Sequence, residues 1–278
     1  TSATTASPRA LVTREQAAAF LGRCLRLQGT SGAGTSFQDG YQITPQFRGL
    51  VQEAAELGII QGYTSGDFRP KDNITRGQVA CFLVRALGTL VQEPGENISG
   101  GVYGNLTINT PGVKLKDTVI TGNLYLTGGV GLGNVELENV SVMGKIVVCG
   151  GGEAEKGDNS IVLRNVTADS LEVDSLTEQF LSIRSEGLTN IGNTTIRTSA
   201  YIEDVTDDGL GLRFISLEGG NDAPFQFAGN IKEVVNRTPG STLQMAQGMA
   251  HVVTVDEKAL GTTLSIDNRA SIKNLNLD

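Results

Sequence analysis

Glycoside hydrolysis needs two carboxylates flanking one bond, the first to protonate the leaving oxygen and the second to attack or to activate water. The 278-residue sequence has one suggestive cluster, Asp207-Asp208 with Glu203 and Asp204 just ahead of it. Neighbours in a strand point to opposite faces, so the adjacent pair can flank a bond only from within a turn. The single histidine, His251, sits in MAHVVTV without an evident partner. A lyase would want a Lys or Arg base beside calcium-binding acids, and Lys232-Glu233 is too ordinary a pair to supply one. Trp is absent and aromatics are 5% of the chain, so a sugar-stacking cleft is poorly provided for. We assign no catalytic residue, no cofactor and no metal site from the sequence, and the balance of the residues is against an enzyme.

The three cysteines, Cys24, Cys81 and Cys149, are odd in number and none forms a C-x-x-C pair, so zinc spacing is missing. They read as small buried hydrophobes. A net charge of −8 argues against a nucleic-acid binder. No apolar run is long enough to cross a bilayer. The chain lacks a starting Met, and TSATTASP reads as the trimmed start of a mature protein. Charge is uneven: residues 1–95 hold nine basic and seven acidic residues, residues 96–278 hold 13 and 23. The break falls in VQEPGENISGG, 91–101, where Pro and Gly mark a boundary.

The elements that must position any site begin with a repeated helix start. SPRALVTREQAAAFLGRCLRL (7–27) and RPKDNITRGQVACFLVRALG (69–88) align with Thr13 on Thr75, 62 residues apart. In each copy a Thr precedes a Gln by three residues, which predicts a capping box. The expected apolar face is Val79, Phe82, Leu83, Ala86 and Leu87, and in the first copy Ala17, Phe20, Leu21, Cys24 and Leu25. Between them, TPQFRGLVQEAAELG (44–58) reads as a helix capped by Thr44, with Pro45 at its first position and Gly58 as its stop.

FQD (37–39), GIIQGY (58–63), GDFRP (66–70) and ITRGQ (74–78) follow in the order found in S-layer homology domains, which residues 37–89 resemble nearly throughout. Residues 8–28 resemble the tail of a preceding repeat. The resemblance implies an exported protein held to the cell wall through a secondary cell-wall polysaccharide. In the family, the Arg of a T-R-A-E element helps bind the acidic glycan. That role passes to Arg76 and to Arg14, with Arg69 and Tyr63 as further candidates. The fourth residue of the element is Gln here, and one module plus a fragment stands where the family often packs three, so the expectation is either that a repeat has been lost by trimming or that modules of several chains combine.

From residue 100 the period changes to strict alternation. VKLKDTVITGNLYL (113–126), VELENVSVMGKIVV (135–148) and IVLRNVTADSLEV (161–173) share a strand, a polar corner at Asp117, Asn139 or Asn165, and a second strand. Spacings of 22 and 26 residues predict a solenoid of stacked coils. Leu124, Ile146 and Leu171 should form one internal stack, and Leu126, Val148 and Val173 another. The corners should form an amide ladder, with Gly122 and Gly144 supplying positive φ. CGGGEAEKGDN (149–159) reads as an extruded loop, GGVGLG (128–133) as turns, and the register after residue 200 is not legible.

The expected fold is therefore mixed: a small all-α helical module, then an all-β right-handed parallel β-helix, with a β-sandwich as the alternative. The expected domains are a partial repeat at 1–28, a linker at 29–36, the repeat at 37–89, a linker at 90–99 and the β-helix at 100–278. β-helical pectinases resemble this second part, but their G-H-G and R-I-K elements are absent from it. The function that fits best is an extracellular, wall- or S-layer-associated protein. Its anchor binds wall polysaccharide and self-associates, and its β-helix is a non-catalytic display or adhesion domain. An anchored lyase or hydrolase is the alternative. No nucleic-acid partner and no transmembrane segment are expected.

Overall fold

A computed structural model describes residues 10–29, 36–152, 160–175, 180–206, 210–220 and 222–278. The chain divides into two units, Thr1–Gly88 and Thr89–Asp278.

The first unit holds three helices, α1 (Arg14–Cys24), α2 (Pro45–Glu56) and α3 (Arg76–Leu87). Both predicted capping boxes are present. The Thr13 and Thr75 hydroxyls accept from the Gln16 and Gln78 amides, and each Gln carbonyl accepts from its cap's own N–H. The two copies lie side by side, the chain at Thr13 pairing antiparallel with Asn73. The Ile74 amide donates to Val12 and the Arg14 amide to Asp72.

Here the expected helix face of α1 needs correction. Phe20 is 70% exposed and Cys24 is exposed, while Arg14, Glu15, Ala18, Ala19 and Gly22 are buried. Cys81 is also exposed and Cys149 partly so, so the cysteines are not the buried hydrophobes expected. The 62-residue offset preserves the spacing of the two helices but not their neighbours. α1 meets α2 through small residues: a methyl group on Gly22 would touch Leu50 at 3.4 Å. That close approach rotates the face. In α3 the buried residues are Phe82 and Ala86, as expected, but Leu83 is 43% exposed. Thr44 stands at the N-cap of α2 without making a cap bond, because its hydroxyl is engaged by Glu15.

The second unit is a parallel β-solenoid of about eight turns. Among the described residues every strand pairing within it is parallel, which excludes the sandwich alternative. Its first strand, Thr89–Val91, begins on the last residue assigned to the repeat and runs into the stretch read as a linker, where the second, Asn97–Ser99, also lies. Leu124, Ile146 and Leu171 stack in register, as do Leu126, Val148 and Val173, all fully buried. A second column runs Val113, Val135, Ile161, Ile183, Ile202, Phe227, Met245.

The amide ladder forms as expected. Asn139 Nδ2 donates to Asp117 Oδ1 at 2.8 Å, and Asn165 Nδ2 to Asn139 Oδ1 at 2.9 Å. The positive φ lies on these corner residues themselves, at 51°, 54° and 55°, and not on Gly122 or Gly144. Asn and Asp tolerate that region because a short polar side chain bonds locally. Gly122 and Gly144 are required for a different reason. A Cβ there would collide with the side-chain oxygens of Asn105 and Asn123, which accept from the Asn123 and Lys145 amides in a second ladder.

Candidate glycan-binding site

The first turn of α1 carries two buried charged side chains that organise the loops of the repeat. Arg14, 3% exposed, donates from Nε to the Phe68 carbonyl at 2.8 Å and from its terminal NH2 to that of Gln61 at 3.1 Å. Its guanidinium lies 4.9 Å from the ring centres of Tyr63 and Phe68 and 5.5 Å from that of Phe82. Burial, with help from Arg69, pulls its pKa below the ordinary arginine value, against the pull of Tyr63, Asp72 and Asp39. It remains a cation regardless.

Glu15 is buried too. It accepts the Thr44 amide at 2.9 Å, the Thr44 hydroxyl at 2.8 Å and Lys71 Nζ at 2.6 Å. Burial alone would raise its pKa. The bonds from Lys71 and from the Thr44 amide and hydroxyl, with the Lys71 charge, more than offset that and hold it below the usual carboxylate value.

Around this frame sit the expected site residues. Tyr63 is half-buried, and its hydroxyl accepts from Gln78 Nε2 at 2.9 Å, which ties the loop to the first turn of α3. The Arg69 guanidinium lies 4.2 Å from the Tyr63 ring centre, within cation–π range, and Arg69 is exposed. Its backbone is held at a φ of 56° by Asp39, whose carboxylate accepts the Phe68 and Arg69 amides, each at 2.7 Å. Arg76 is exposed at the first position of α3 and, among the described residues, makes no side-chain hydrogen bond or ion pair.

Three of the four expected residues, Arg14, Tyr63 and Arg69, therefore come together, and Gln78 joins them to the turn bearing Arg76. Arg14 differs from the expectation: it is walled in by carbonyls and rings, whereas its counterpart Arg76 is free in solvent. Asp39, Glu15, Lys71 and Gln78 were not singled out as site residues. Only Gln78 had a signal in spacing, and it pointed to capping.

The solenoid's candidate chemistry resolves differently. Asp207 and Asp208 lie outside the described residues. Glu203 is paired with Arg184 at 3.0 Å. Asp204 is fully buried, its carboxylate accepting from the Thr206 amide and hydroxyl and from the Leu212 amide. His251 bonds Asn230 Oδ1 through Nε2 at 2.8 Å. Among the described residues no three His, Cys, Asp or Glu side chains gather as metal ligands.

Residues 36–80 match the family model of the S-layer homology domain. The chain is 42% identical over 93 residues to an endoglucanase of Bacillus sp. (strain KSM-635). The aligned region is 34% of this chain and 10% of that protein, so the chain spans about a tenth of the length of that curated relative. No solved structure matches the chain. The S-layer homology domain marks a cell-wall-associated surface protein. No helix among the described residues is long and apolar enough to cross a membrane.

Proposed function

We propose that the helical unit anchors this protein to an acidic secondary cell-wall polysaccharide, with Arg76 and Arg69 as the side chains that meet the glycan. The observation that carries this reading is the S-layer homology match over residues 36–80. The geometry supports it in detail. Two exposed arginines flank the start of α3, where the unpaired N–H groups and helix dipole also favour negative charge. A cation at a helix N-terminus is mildly unfavourable, so Arg76 is placed there against the helix's own preference. Tyr63 orients Arg69 by presenting its ring, and Arg14 fixes Tyr63 and Phe68 from beneath, so both act as positioning residues.

In this reading the solenoid is a non-catalytic stalk or display surface, and Glu136, Glu138, Glu172, Glu186, Glu203, Glu218 and Asp256 are ion-paired across its coils. Co-sedimentation of the intact protein with purified walls tests the anchor. Arg69→Ala/Arg76→Ala should lose most of its bound fraction, and retention of wild-type binding would refute the assignment.

The relative's name favours a second reading, a wall-anchored carbohydrate-active enzyme. It requires sugar release from a panel of acidic and neutral glycans, lost on Asp207→Asn or Asp208→Asn.

A further inference from the structure

Cations on the solenoid fall into two groups. Lys114, Lys116, Lys145, Arg164, Arg184, Arg197 and Arg237 each form an ion pair with an acidic side chain. Arg213, Lys232, Lys258, Arg269 and Lys273 form none among the described residues, and three of these, Arg213, Lys232 and Lys273, lie at the same place within four successive coils, the third of which carries His251.

The register shows this. Leu212, Ile231, Ala250 and Ile272 all face the interior. Ile231 pairs with Ala250 and Ala250 with Ile272. Ile215, two residues after Arg213, pairs with Val234, two residues after Lys232. The residues that follow the interior positions are therefore Arg213, Lys232, His251 and Lys273, stacked on the outside at successive coils. Adjacent parallel strands are about 4.8 Å apart. Like charges directly opposite one another destabilise a sheet, and elsewhere this solenoid avoids that arrangement by alternating sign. The Lys145, Glu172, Arg197, Glu218, Arg237, Asp256 series does so at every step. The column thus departs from the rule the rest of the exterior follows.

We propose that the Arg213–Lys232–His251–Lys273 column is a binding strip for a carboxylated polysaccharide chain lying along the solenoid. A linear glycan with one carboxylate per sugar repeats its charge at a spacing of the same order as the coil separation of about 4.8 Å. One such chain would set carboxylates against Arg213, Lys232 and Lys273, with the His251 coil as a neutral polar step between the last two. Phe214 follows Arg213 and is half-buried, offering an apolar surface to a sugar ring beside the first cation. His251 keeps its place by donating from Nε2 to Asn230 Oδ1, while its carbonyl accepts from Asn274 Nδ2.

The strip is one file wide. Glu233 follows Lys232, and one coil before Arg213 the same position is Gly192, beyond which comes Asp169. A narrow strip in an acidic surround suits a single slender polyanion and repels a broad one such as duplex nucleic acid, because residues 96–278 carry 23 acidic against 13 basic residues. The strip belongs to the solenoid and does not depend on the anchor reading.

Affinity electrophoresis of the full chain in gels containing polygalacturonate tests the proposal. Wild type should be retarded, with the retardation falling as NaCl is raised. Arg213→Ser/Lys232→Ser/Lys273→Ser should weaken binding at least tenfold. Lys258→Ser/Arg269→Ser, which removes two exposed cations outside the column, should bind as wild type. Arg213→Lys, which keeps the charge, should also bind and serves as a check should the triple variant unfold. Wild-type retardation of the triple variant, an equal loss in Lys258→Ser/Arg269→Ser, equal retardation by a neutral glucan, or preference for single-stranded DNA over polygalacturonate would each overturn the proposal.

Discussion

Arg14 and Arg76 occupy equivalent positions in two copies of one helix start and do opposite things. Arg14 is enclosed and hydrogen-bonded to two carbonyls, whereas Arg76 is exposed. Truncating the first leaves buried acceptors unmet and empties an aromatic-lined space, so Arg14→Ala should cost the helical unit about 3 kcal/mol. Arg76→Ala should change stability by no more than about 0.5 kcal/mol. Urea unfolding of the two variants separates the roles. Glu15 adds a pH signature. Its pKa is lowered on folding, so its stabilisation is complete above the unfolded value of about 4.3 and is lost as pH falls through the lower folded value. Glu15→Gln should therefore be less stable than wild type by about 2 kcal/mol at pH 7 and approach it in strong acid. A constant gap across pH would contradict that role. The candidate site was legible only in outline. Spacing revealed that the Arg recurs, but burial depends on which loops fold over each copy, and the bonds from Arg14 to Gln61 and Phe68 span 47 and 54 residues.

Elements carry the second scale. In the solenoid, a polar corner at positive φ and a neighbouring glycine under a side-chain oxygen recur together at coils one and two of the repeat. Asn139→Ala should destabilise by about 2 kcal/mol, combining the strain of a methyl-bearing residue in the left-handed region with loss of both ladder bonds. Asn139→Gly should cost less, because it removes the bonds and relieves the strain. Gly144→Ala should cost at least as much as Asn139→Ala, since the new methyl collides with Asn123 Oδ1 and the Gly122 carbonyl. Denaturant midpoints of the three variants test that order.

The first stacks were readable because Leu, Ile and Val recur at fixed offsets. The register after residue 200 was not, and the structure explains why. The interior column that starts Leu115, Leu137, Leu163 continues as Ser185 and Asp204, both fully buried, and its register then runs out through Gly229 to the exposed Gly248. A fully buried Asp204, satisfied by Thr206 and Leu212, holds an interior position that alternation of apolar residues cannot reveal. The rotated face of α1 escaped for a related reason, since Ala and Gly at a close crossing contribute little apolar signal.

At the scale of the molecule, sign and pairing of charge divide the labour. The helical unit presents exposed cations without ion pairs at Arg69 and Arg76, while seven solenoid cations close on acidic side chains, mostly of neighbouring coils. Surface pairs of this kind are each worth about 0–1 kcal/mol and weaken with salt. Moderate NaCl should therefore barely move the solenoid's unfolding midpoint yet release the protein from walls. If modules from several chains combine, the sedimentation coefficient should rise with protein concentration and fall back on adding soluble wall glycan. The measurement that bears most directly on the account is co-sedimentation of the intact wild-type protein with two wall preparations, one native and one chemically stripped of its secondary polysaccharide. Binding to native walls, lost on stripping and lost again in Arg69→Ala/Arg76→Ala, is the predicted result. Equal binding to both preparations, or full binding by the double variant, would contradict it.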